Sequence, residues 1–374
     1  MARRKHSAGP AARGAAGGAV QTGVDAAVPR DLDTVVVRDG GRQTTLTHLQ
    51  KVFWPALGLT KGDLLRYYLS VAPALVPHLR DRAMVMKRYP DGAAGPFFFM
   101  KRAPQPRPPW IETCAIEHGS GSVIHFPLVQ DALALLWVVN LGCIDLNPWY
   151  ARCDDTDRPD VLHFDLDPTP GATLAEIVVA AHHVRDLLGE LALTPFVKTT
   201  GSRGLHVYVP IVRGPTQKEV WTLAKALALE LARRHPDVLT AEYKVARRPA
   251  RHVVVDYNQN AWGRTLASIY SVRPTPRATV STPLLWEEVD DRLRMDDHRI
   301  DTVPARLRAR GDLWAPMLGP ARHDIAPLVG GAERWLRDGG VGARSGPSEA
   351  PARQTGPARR PGRSANRRRS RRER

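Results

Sequence analysis

The sequence predicts layered β-sheets with α-helices packed outside them, a protein of the α/β or α+β class. Three observations support this class. The chain has 374 residues and is 43% hydrophobic, which is enough for a sizeable core. Apolar residues recur at helical spacing in several long segments, and short runs rich in β-branched residues separate those segments. The polar motifs fall at the ends of the predicted strands, which predicts an active-site cleft there.

Four segments show the apolar periodicity of helices. Thr60 and Asp131 stand at the start of two of them and are residue types that cap helix N-termini well. The predicted helices run from Lys61 to near Pro73, from Asp131 to Leu141, from Leu174 to Leu191 and from Gln217 to Arg234.

Short apolar runs between these helices predict strands. A turn at Pro90-Asp91-Gly92 separates the first two, and a glycine-containing loop at 199–204 separates two others. The predicted strands cover residues 84–87, 97–101, 144–146, 161–166, 196–198, 205–209 and 253–256.

Composition divides the chain into a core and two tails. Residues 1–31 and 338–374 are rich in Pro, Gly, Ala and Arg, so we expect a disordered basic arm and a disordered arginine-rich tail around a folded domain at 32–337. The net charge is +16, and the segment from Val341 to Arg374 contributes +9 of it. Such a tail adds salt-sensitive affinity for phosphate groups or serves only solubility. The folded part is therefore only mildly basic.

No segment has the apolar length that export or membrane insertion requires. The most apolar window, from Ala132 to Ile144, is short and contains Asn140. We therefore expect no membrane association and a cytoplasmic location. The 3 cysteines lack C-x-x-C spacing, which argues against a disulfide framework and a zinc site and fits a reducing compartment.

Three aspartates are the candidate metal ligands. In VLHFDLDPTP, the strand period of two places His163, Asp165 and Asp167 on one face. Two carboxylates so close repel each other unless a proton or a cation intervenes, and Mg²⁺ and Mn²⁺ favour such oxygen ligands. Asp256 ends the strand VVVD and supplies a third acid, as a two-metal phosphoryl-transfer site requires. The alternatives are an Asx turn or a solvated edge for the pair and a turn cap for Asp256.

The loop K-T-T-G-S-R-G-L-H joins two predicted strands. Its backbone amides, two hydroxyls, Arg203 and His206 could cradle phosphate, although the sequence is not a Walker A motif. Gln259, Arg264 and Arg273 follow the third acid, and arginines present planar forks to phosphate oxygens. The alternatives are an ordinary hairpin turn, a core histidine and a solvated loop.

Taken together, HFDLDP, KTTGSRGLHVYVP and VVVDYNQN…TLASIYSVRP…VSTPLLWEEV resemble the three signature regions of the polymerase domain of bacterial DNA ligase D, in the archaeo-eukaryotic primase superfamily. The resemblance runs from about Thr47 to about Val289. It implies an α+β, primase-polymerase-like fold with mixed and antiparallel sheets, and makes 32–337 the catalytic domain.

The resemblance also implies an activity. The expected enzyme is a DNA-directed nucleotidyltransferase that adds ribo- or deoxyribonucleotides to 3′ ends at gaps or breaks, with two Mn²⁺ or Mg²⁺ ions. The implied pathway is non-homologous end joining, in which the end-binding protein Ku and a separate DNA ligase are the expected partners. We expect a monomer that works at the nucleoid.

Roles follow residue by residue from the matching motifs. Asp165 and Asp167 would hold both metal ions, and Asp256 would position or deprotonate the primer hydroxyl. The expected nucleotide contacts are Lys87, Asn147, Thr200, Ser202, Arg203, His206, Arg248, Gln259 and Arg273.

The same resemblance assigns contacts with DNA. Lys51 and Lys61, in LQKVFWPALGLTKGD, would grip the 5′ phosphate of the downstream strand. Phe98 and Phe99 would stack on template bases, while the alternative is that they are strand core.

The chain departs from the family pattern in three places. Asn147 stands where the family has a histidine before Pro-Trp, so a neutral amide replaces a potential cation. Thr200 and Arg203 stand where Ser and Lys are commoner. After Val289 only a short segment and the tail remain, so we expect neither a ligase nor a phosphoesterase domain.

Two other functions compete with the polymerase hypothesis. D-L-D-P-T also fits the motif of haloacid-dehalogenase-type phosphatases, in which Asp165 would be a nucleophile. A DNA-end-binding accessory protein without catalysis would keep the fold and rely on Lys51, Lys61 and the tail.

Overall fold

The structure, a computed structural model, describes the strand Val20–Gly23 and residues 28–338. The strand lies inside the segment 1–31 that composition predicts to be a disordered arm, and it pairs in parallel with the next strand. The structure differs from the prediction there, because backbone hydrogen bonds can add a strand to a sheet edge whatever its side chains are. The rest of residues 1–27 and the predicted tail at 339–374 lie outside the described residues.

Helices are found where apolar periodicity predicts them, and two more lie near the C-terminal end of the described part. None of the described helices is long and apolar enough to cross a membrane. The helices are α1 (Lys61–Leu79), α2 (Ala132–Asn140), α3 (Leu174–Glu190), α4 (Gln217–Arg234), α5 (Val303–Arg310) and α6 (Ala326–Asp338).

All seven predicted strands are present, and many short ones accompany them. The strands are β1 (Val20–Gly23), β2 (Thr34–Asp39), β3 (Arg42–Thr47), β4 (Val52–Trp54), β5 (Leu59–Thr60), β6 (Met84–Arg88), β7 (Phe98–Met100), β8 (Thr113–Glu117), β9 (Val123–Pro127), β10 (Cys143–Pro148), β11 (Ala151–Arg152), β12 (Asp155–Pro159), β13 (Val161–Pro168), β14 (Phe196–Thr199), β15 (Leu205–Pro210), β16 (Leu239–Thr240), β17 (Val253–Asp256) and β18 (Pro283–Leu284).

A six-stranded sheet in the order β16-β17-β13-β15-β14-β18 forms the centre of the fold. Its strands pair antiparallel except β16 with β17, so the sheet is mixed, as expected for the α+β class. Leu162, Phe164 and Leu166 on β13 pack in one core with apolar residues of α3 and α4. Alternation along β13 therefore turns the acidic residues to the opposite face.

A second core lies on that opposite side. It combines apolar residues of α1 and α2 with β2, β3 and the sheet β10-β6-β7, and it also includes Val161 and Tyr208 from the six-stranded sheet. The acidic face of β13 thus meets the smaller sheet rather than a helix.

Helix α1 begins as the sequence predicts but is longer. Thr60 Oγ1 accepts a hydrogen bond from the Asp63 amide, and Asp63 Oδ2 accepts one from the Thr60 amide. The predicted end near Pro73 is wrong, since the helix continues to Leu79 with Pro77 also inside it. Burial of the apolar residues in the last turns explains this, because tertiary packing outweighs the loss of helical hydrogen bonds at proline.

Cys114 and Cys153 form a disulfide, with Cα atoms 5.8 Å apart, while Cys143 is free and buried. This contradicts the expectation of no disulfide and removes the cysteine argument for a reducing compartment. The bonded pair joins β8 to the turn between β11 and β12, 39 residues away. Contacts this distant depend on tertiary structure, so cysteine spacing alone did not indicate the bond.

A buried ion pair connects the two cores. Both Arg82 Nη2 contacts with the Asp160 carboxylate are 2.7 Å, and Arg152 Nε donates to the same carboxylate at 3.2 Å. Arg82 also donates to the carbonyl oxygen of Tyr150 at 2.6 Å. Arg82 lies two residues before β6 and Asp160 directly precedes β13, so the pair fixes the smaller sheet against the central strand.

We expect Asp160→Ala to lower the free energy of unfolding by about 3–5 kcal/mol, because it leaves the Arg82 guanidinium buried without its carboxylate. Urea unfolding followed by circular dichroism measures this. Asp154→Ala is the matched control: it removes an exposed pair with Arg213 and should cost about 0–1 kcal/mol. Equal losses for the two variants would show that the buried pair does not hold the sheets together.

Candidate active site

The three predicted acids lie on two neighbouring strands. Asp165 on β13 is opposite Asp256 on β17 and opposite His206 on β15. Asp167 lies two residues further along β13, so it shares the face of Asp165. Asp165 is only 5% exposed although it carries a potential charge.

Burial and mutual repulsion destabilise the charged forms of two of these acids. Burial raises the pKa of Asp165 to about 7, and the carboxylate of Asp256 adds to this effect. The charge of Asp165 is the largest cause that raises the pKa of Asp167 to about 7. Nearby cations, among them Arg248, act in the opposite direction but do not offset the repulsion. A bound cation would remove the same conflict.

The donor chemistry fits a divalent cation, but the three acids do not surround one point. Among the described residues, no group of three or more Asp, Glu, His or Cys side chains is arranged to hold one metal ion. Both carboxylate oxygens of Asp256 accept hydrogen bonds in this structure, Oδ1 from the Asn258 amide at 2.9 Å and Oδ2 from Gln259 Nε2 at 3.1 Å. Asp256 thus caps a turn here, and its role toward the metal ions and the primer hydroxyl stays a prediction. Asp165 and Asp167 offer hard oxygen ligands, and water or phosphate oxygens could complete the coordination.

A cleft of about 460 Å³ opens beside the acids, between the six-stranded sheet and the sheet β10-β6-β7. Ten of the predicted residues line it. They are Lys87, Phe99, Asn147, Asp165, Asp167, Thr200, Ser202, His206, Gln259 and Arg273. Arg264, which the sequence also indicates as a phosphate ligand, lines the same cleft together with Lys101 and Asp145, which sequence reasoning missed.

The loop between β14 and β15 lies against the acids. Thr200 Oγ1 accepts hydrogen bonds from the amides of Ser202 and Gly204 at 3.0 and 3.2 Å, so this hydroxyl shapes the loop. Gly201 has φ +66°, and a Cβ there would lie 2.6 Å from Arg273 Cγ. At Gly204 a Cβ would collide with the carbonyl oxygen of Leu166. Ser202 and Arg203 remain exposed at the loop tip.

Arg273 is held from two sides. Its Nη1 donates to the carbonyl oxygen of Thr200 at 2.6 Å, and its Nε lies 3.2 Å from Asp145 Oδ2. Asn147 Nδ2 donates to the backbone oxygen of Asp145 at 3.0 Å, so Asp145 engages both predicted nucleotide contacts. A signal for Asp145 existed in the sequence, because Asp145 lies in the strand predicted at 144–146 and Asn147, which directly follows that strand, is two residues away and would share its face.

Aromatic side chains and Lys87 form the other wall. Lys87 Nζ lies 4.1 Å from the ring centroid of Phe97 and 5.7 Å from that of Phe99. Phe98 lies against Arg88 instead, 5.2 Å from its guanidinium carbon to the ring centroid. Phe98 and Phe99 are 43% and 59% exposed, so the alternative that they are strand core is wrong. Phe99, but not Phe98, lines the cleft.

The predicted DNA 5′-phosphate ligands lie side by side at one end of the β4–β5 ribbon, where the Lys61 amide donates to the Lys51 carbonyl at 2.8 Å. Lys51 Nζ pairs with Asp91 Oδ1 at 3.1 Å. Lys61 Nζ donates to the carbonyl of Thr47 at 2.7 Å, and burial lowers its pKa to about 8. Neither lysine lines the cleft beside the acids.

Two further predicted nucleotide contacts, Arg203 and Arg248, also lie off the cleft lining. Their charges nevertheless act on the acids, because both lower the pKa of Asp167. Arg248 Nε donates to the carbonyl of Glu242 at 3.0 Å, which fixes its direction.

Sequence reasoning missed Lys198, which is fully buried behind the acids. Its Nζ lies 2.6 Å from His206 Nδ1 and 2.6 Å from Ser281 Oγ, and it donates to the Ala267 carbonyl at 2.9 Å. His206 Nε2 in turn lies 3.2 Å from Asp165 Oδ1. Burial lowers the pKa values of Lys198 and His206 well below their usual ranges. Lys198 opens the loop motif, but its partner Ser281 is 83 residues away.

In the metal-free protein, we expect these acids to make stability fall as pH rises. A carboxyl whose folded pKa lies near 7 takes up its proton more readily when folded, so its contribution is full below about pH 4 and is lost by about pH 7. Asp165→Asn should therefore raise the free energy of unfolding at pH 8 in EDTA by about 1–3 kcal/mol. Thermal unfolding between pH 4 and pH 8 measures this, with the exposed Asp186→Asn as control. A melting temperature at pH 8 that is lower for Asp165→Asn than for the wild type would contradict the inference that the charged Asp165 carboxylate destabilises the folded protein.

The comparisons with known proteins agree on one family. The model of the LigD primase-polymerase domain matches residues 60–314. The multifunctional non-homologous end joining protein LigD of Mycolicibacterium smegmatis is 35% identical over 274 residues, which cover 73% of this chain and 36% of that protein. The LigD protein of Pseudomonas aeruginosa is 32% identical over 289 residues, which cover 76% of this chain and 34% of that protein. This chain therefore spans about a third of the length of these relatives.

A solved structure gives the same answer for the fold. The polymerase domain of Mycobacterium tuberculosis ligase D in complex with DNA superposes with a TM-score of 0.70 and 32% identity, covering 74% of this chain and 99% of that one. The α+β, primase-polymerase-like fold is thereby confirmed, and the phosphatase alternative has no support. The signature motifs, the matching domain model and the superposition together establish that the chain belongs to the LigD primase-polymerase domain family.

Proposed function

We propose that this protein is a DNA-directed nucleotidyltransferase that adds ribo- or deoxyribonucleotides to 3′ ends at gaps or breaks, in double-strand break repair by non-homologous end joining. The observation that carries the proposal is the buried Asp165 and the half-buried Asp167, with Asp256 on the adjacent strand, at the edge of a cleft rich in cationic side chains. Anions bound in such a cleft and cations bound by such acids would stabilise each other. Membership of the LigD primase-polymerase family supports the same activity.

The reaction joins a primer to an incoming nucleotide. The oxygen of the primer 3′ hydroxyl attacks the α-phosphorus, a new P–O bond forms, and the P–O bond to pyrophosphate breaks as the hydroxyl proton is lost. Two Mn²⁺ or Mg²⁺ ions, when bound, would favour loss of that proton and offset the charge on pyrophosphate. Asp165 and Asp167 are the residues that would hold them.

The chain's own groups would bind and orient the triphosphate. Arg273 offers a guanidinium already fixed by Asp145 and Thr200, so little side-chain freedom is lost on binding. Lys87 contributes a cation from the opposite wall, and the exposed tip at Ser202 and Arg203 could close over phosphate oxygens. Asn147 offers a neutral amide already bonded to Asp145, so it adds no positive charge to the cleft.

DNA would extend from the cleft across the adjoining surface. Phe99 is exposed at the cleft wall and could stack on a base, whereas Phe98 points to the other face of β7 beside Arg88. Lys51 and Lys61 lie side by side at one end of the β4–β5 ribbon and would bind the 5′ phosphate of the downstream strand. Ku and a separate DNA ligase remain the partners we propose, for a monomer acting in the cytoplasm at the nucleoid.

Primer extension on gapped DNA tests the activity. We expect the wild-type protein to extend a primer with Mn²⁺ or Mg²⁺, and we expect Asp165→Ala and Asp167→Ala each to reduce extension at least about 100-fold, the scale of losing one group that stabilises transition-state charge. DNA binding, measured by fluorescence anisotropy, should survive in both variants. Asp186→Ala, on the exposed side of α3, is the control. Retained extension in either active-site variant would refute the metal assignment, and binding without extension in the wild type would favour the accessory-protein alternative.

A second experiment tests the proposed 5′-phosphate site. Lys51→Ala should remove most of the preference for a gap with a 5′ phosphate, because an exposed ammonium that contacts a phosphate contributes salt-dependent affinity. Binding to phosphorylated and unphosphorylated gaps is compared at two salt concentrations. Lys218→Ala, at the exposed start of α4, is the matched control. An unchanged preference in Lys51→Ala would mean that the phosphate binds elsewhere.

A further inference from the structure

Lys198 is a fully buried lysine whose side chain does not reach the cleft beside the acids. It is 0% exposed and does not line the cleft. Its Nζ has three close partners, which are His206 Nδ1, Ser281 Oγ and the Ala267 carbonyl oxygen. An ammonium group has three N–H donors and no acceptor, so three acceptors match it completely.

The hydrogen-bond network fixes the direction of two of these bonds. The Ala267 carbonyl oxygen can only accept. Ser281 Oγ donates its single hydrogen to the Thr199 carbonyl at 2.8 Å, so it accepts from Lys198. The third N–H of Lys198 is then left for His206 Nδ1, at 2.6 Å. A ring nitrogen that accepts carries no hydrogen, so the hydrogen of the neutral imidazole lies on Nε2.

The opposite arrangement, a neutral Lys198 amine beside an Nδ1–H imidazole, would bring two hydrogen-bond acceptors together at Asp165. A neutral amine at Lys198 would accept from Nδ1–H and leave a lone pair on Nε2. That lone pair would face Asp165 Oδ1 at 3.2 Å, so two acceptors would oppose each other. When Asp165 is ionised, as it would be when it holds a metal ion, only the ammonium with an Nε2–H imidazole places a donor against an acceptor at every contact.

The Nε2–H group is not consumed by Asp165. Although the two atoms are 3.2 Å apart, Oδ1 of Asp165 accepts no aligned hydrogen bond in the described part of the chain. His206 also lines the cleft, whereas Lys198 does not. The N–H therefore lies between the carboxylate and the space in which we place the triphosphate.

We propose that Lys198 is a positioning residue: it holds His206 as the Nε2–H tautomer, so that this N–H faces Asp165 and donates to a phosphate oxygen of the nucleotide in the cleft. The phosphate part of this proposal rests on the proposed function, while the tautomer part does not. Partners that orient a group bound to a metal ligand typically affect activity by about 10–100-fold when removed.

Nuclear magnetic resonance tests the tautomer without any activity. Long-range ¹H–¹⁵N spectra of the metal-free full chain, with ¹⁵N-labelled histidine and at pH 8 or above so that Asp165 is mostly ionised, report which ring nitrogen carries hydrogen. His206→Gln identifies the His206 signals. We expect Nε2–H in the wild type and in Lys198→Gln, whose amide can still donate to Nδ1. In Lys198→Met, which has no donor, we expect a shift toward Nδ1–H or a mixture. An Nδ1–H ring in the wild type, or an unchanged spectrum in Lys198→Met, would overturn the proposal.

Extension kinetics test the link to the nucleotide. We expect kcat/KM to fall about 10–100-fold in Lys198→Met, with a smaller loss in Lys198→Gln, and no further loss when Lys198→Met is added to His206→Gln. Additive losses would mean that Lys198 does not act through His206. Circular dichroism checks the fold of each variant. If the Lys198 variants do not fold, the wild-type spectrum still decides which tautomer His206 adopts. If the wild-type protein does not extend a primer, only the proposed function is refuted, because the tautomer is measured without activity.

Discussion

Repulsion between carboxylates at the centre of the six-stranded sheet is the constraint on which the rest of the structure depends. Asp165 and Asp167 lie on one strand and Asp256 lies on its neighbour, and burial strengthens the repulsion because it removes screening by water. Arginines and Lys198 surround the acids without restoring their ordinary pKa values. The protein tolerates this arrangement because the acids occupy a boundary between two large apolar cores, which supply the stability that the acids remove.

The same boundary explains how one cleft receives groups of opposite charge. The central sheet contributes the acids and the loop at 200–204, while the smaller sheet contributes Lys87 and the strand that carries Asp145. Asp145 and Arg273 pair across this boundary at 3.2 Å. A buried carboxylate such as that of Asp145 would by itself repel a triphosphate in this cleft. Here it orients the Arg273 guanidinium, which would bind phosphate. Each wall is therefore held by contacts with the other wall.

Local sequence patterns were enough to predict the elements that carry the motifs. The bounds of α4 and β17 agree with the predicted ones, and the strand period placed Asp165 and Asp167 on the correct face. The β2–β3 hairpin was missed because its alternation is weak and polar, and α5 was missed because it has few apolar residues to set a period. Helix α6 does show a helical period in its apolar residues Leu328, Val329, Trp335 and Leu336, and it was overlooked. The partners of Lys198 and the disulfide depend on contacts between distant segments, and the hydrogen bonds of the Asp256 carboxylate depend on local rotamers. A single sequence shows neither kind of contact.

The glycine at 204 has a consequence for how this loop can vary. No side-chain atom fits between its Cα and the Leu166 carbonyl, so the loop backbone must rest directly on the strand that bears the acids. Any drift in that backbone would also displace the acids. Substitutions in this loop must leave that contact intact, and the side chains at positions 202 and 203, which project into solvent, can change without touching it. An arginine in place of the commoner lysine at 203 is such a change, since it alters the reach of a cation while the path of the main chain stays the same.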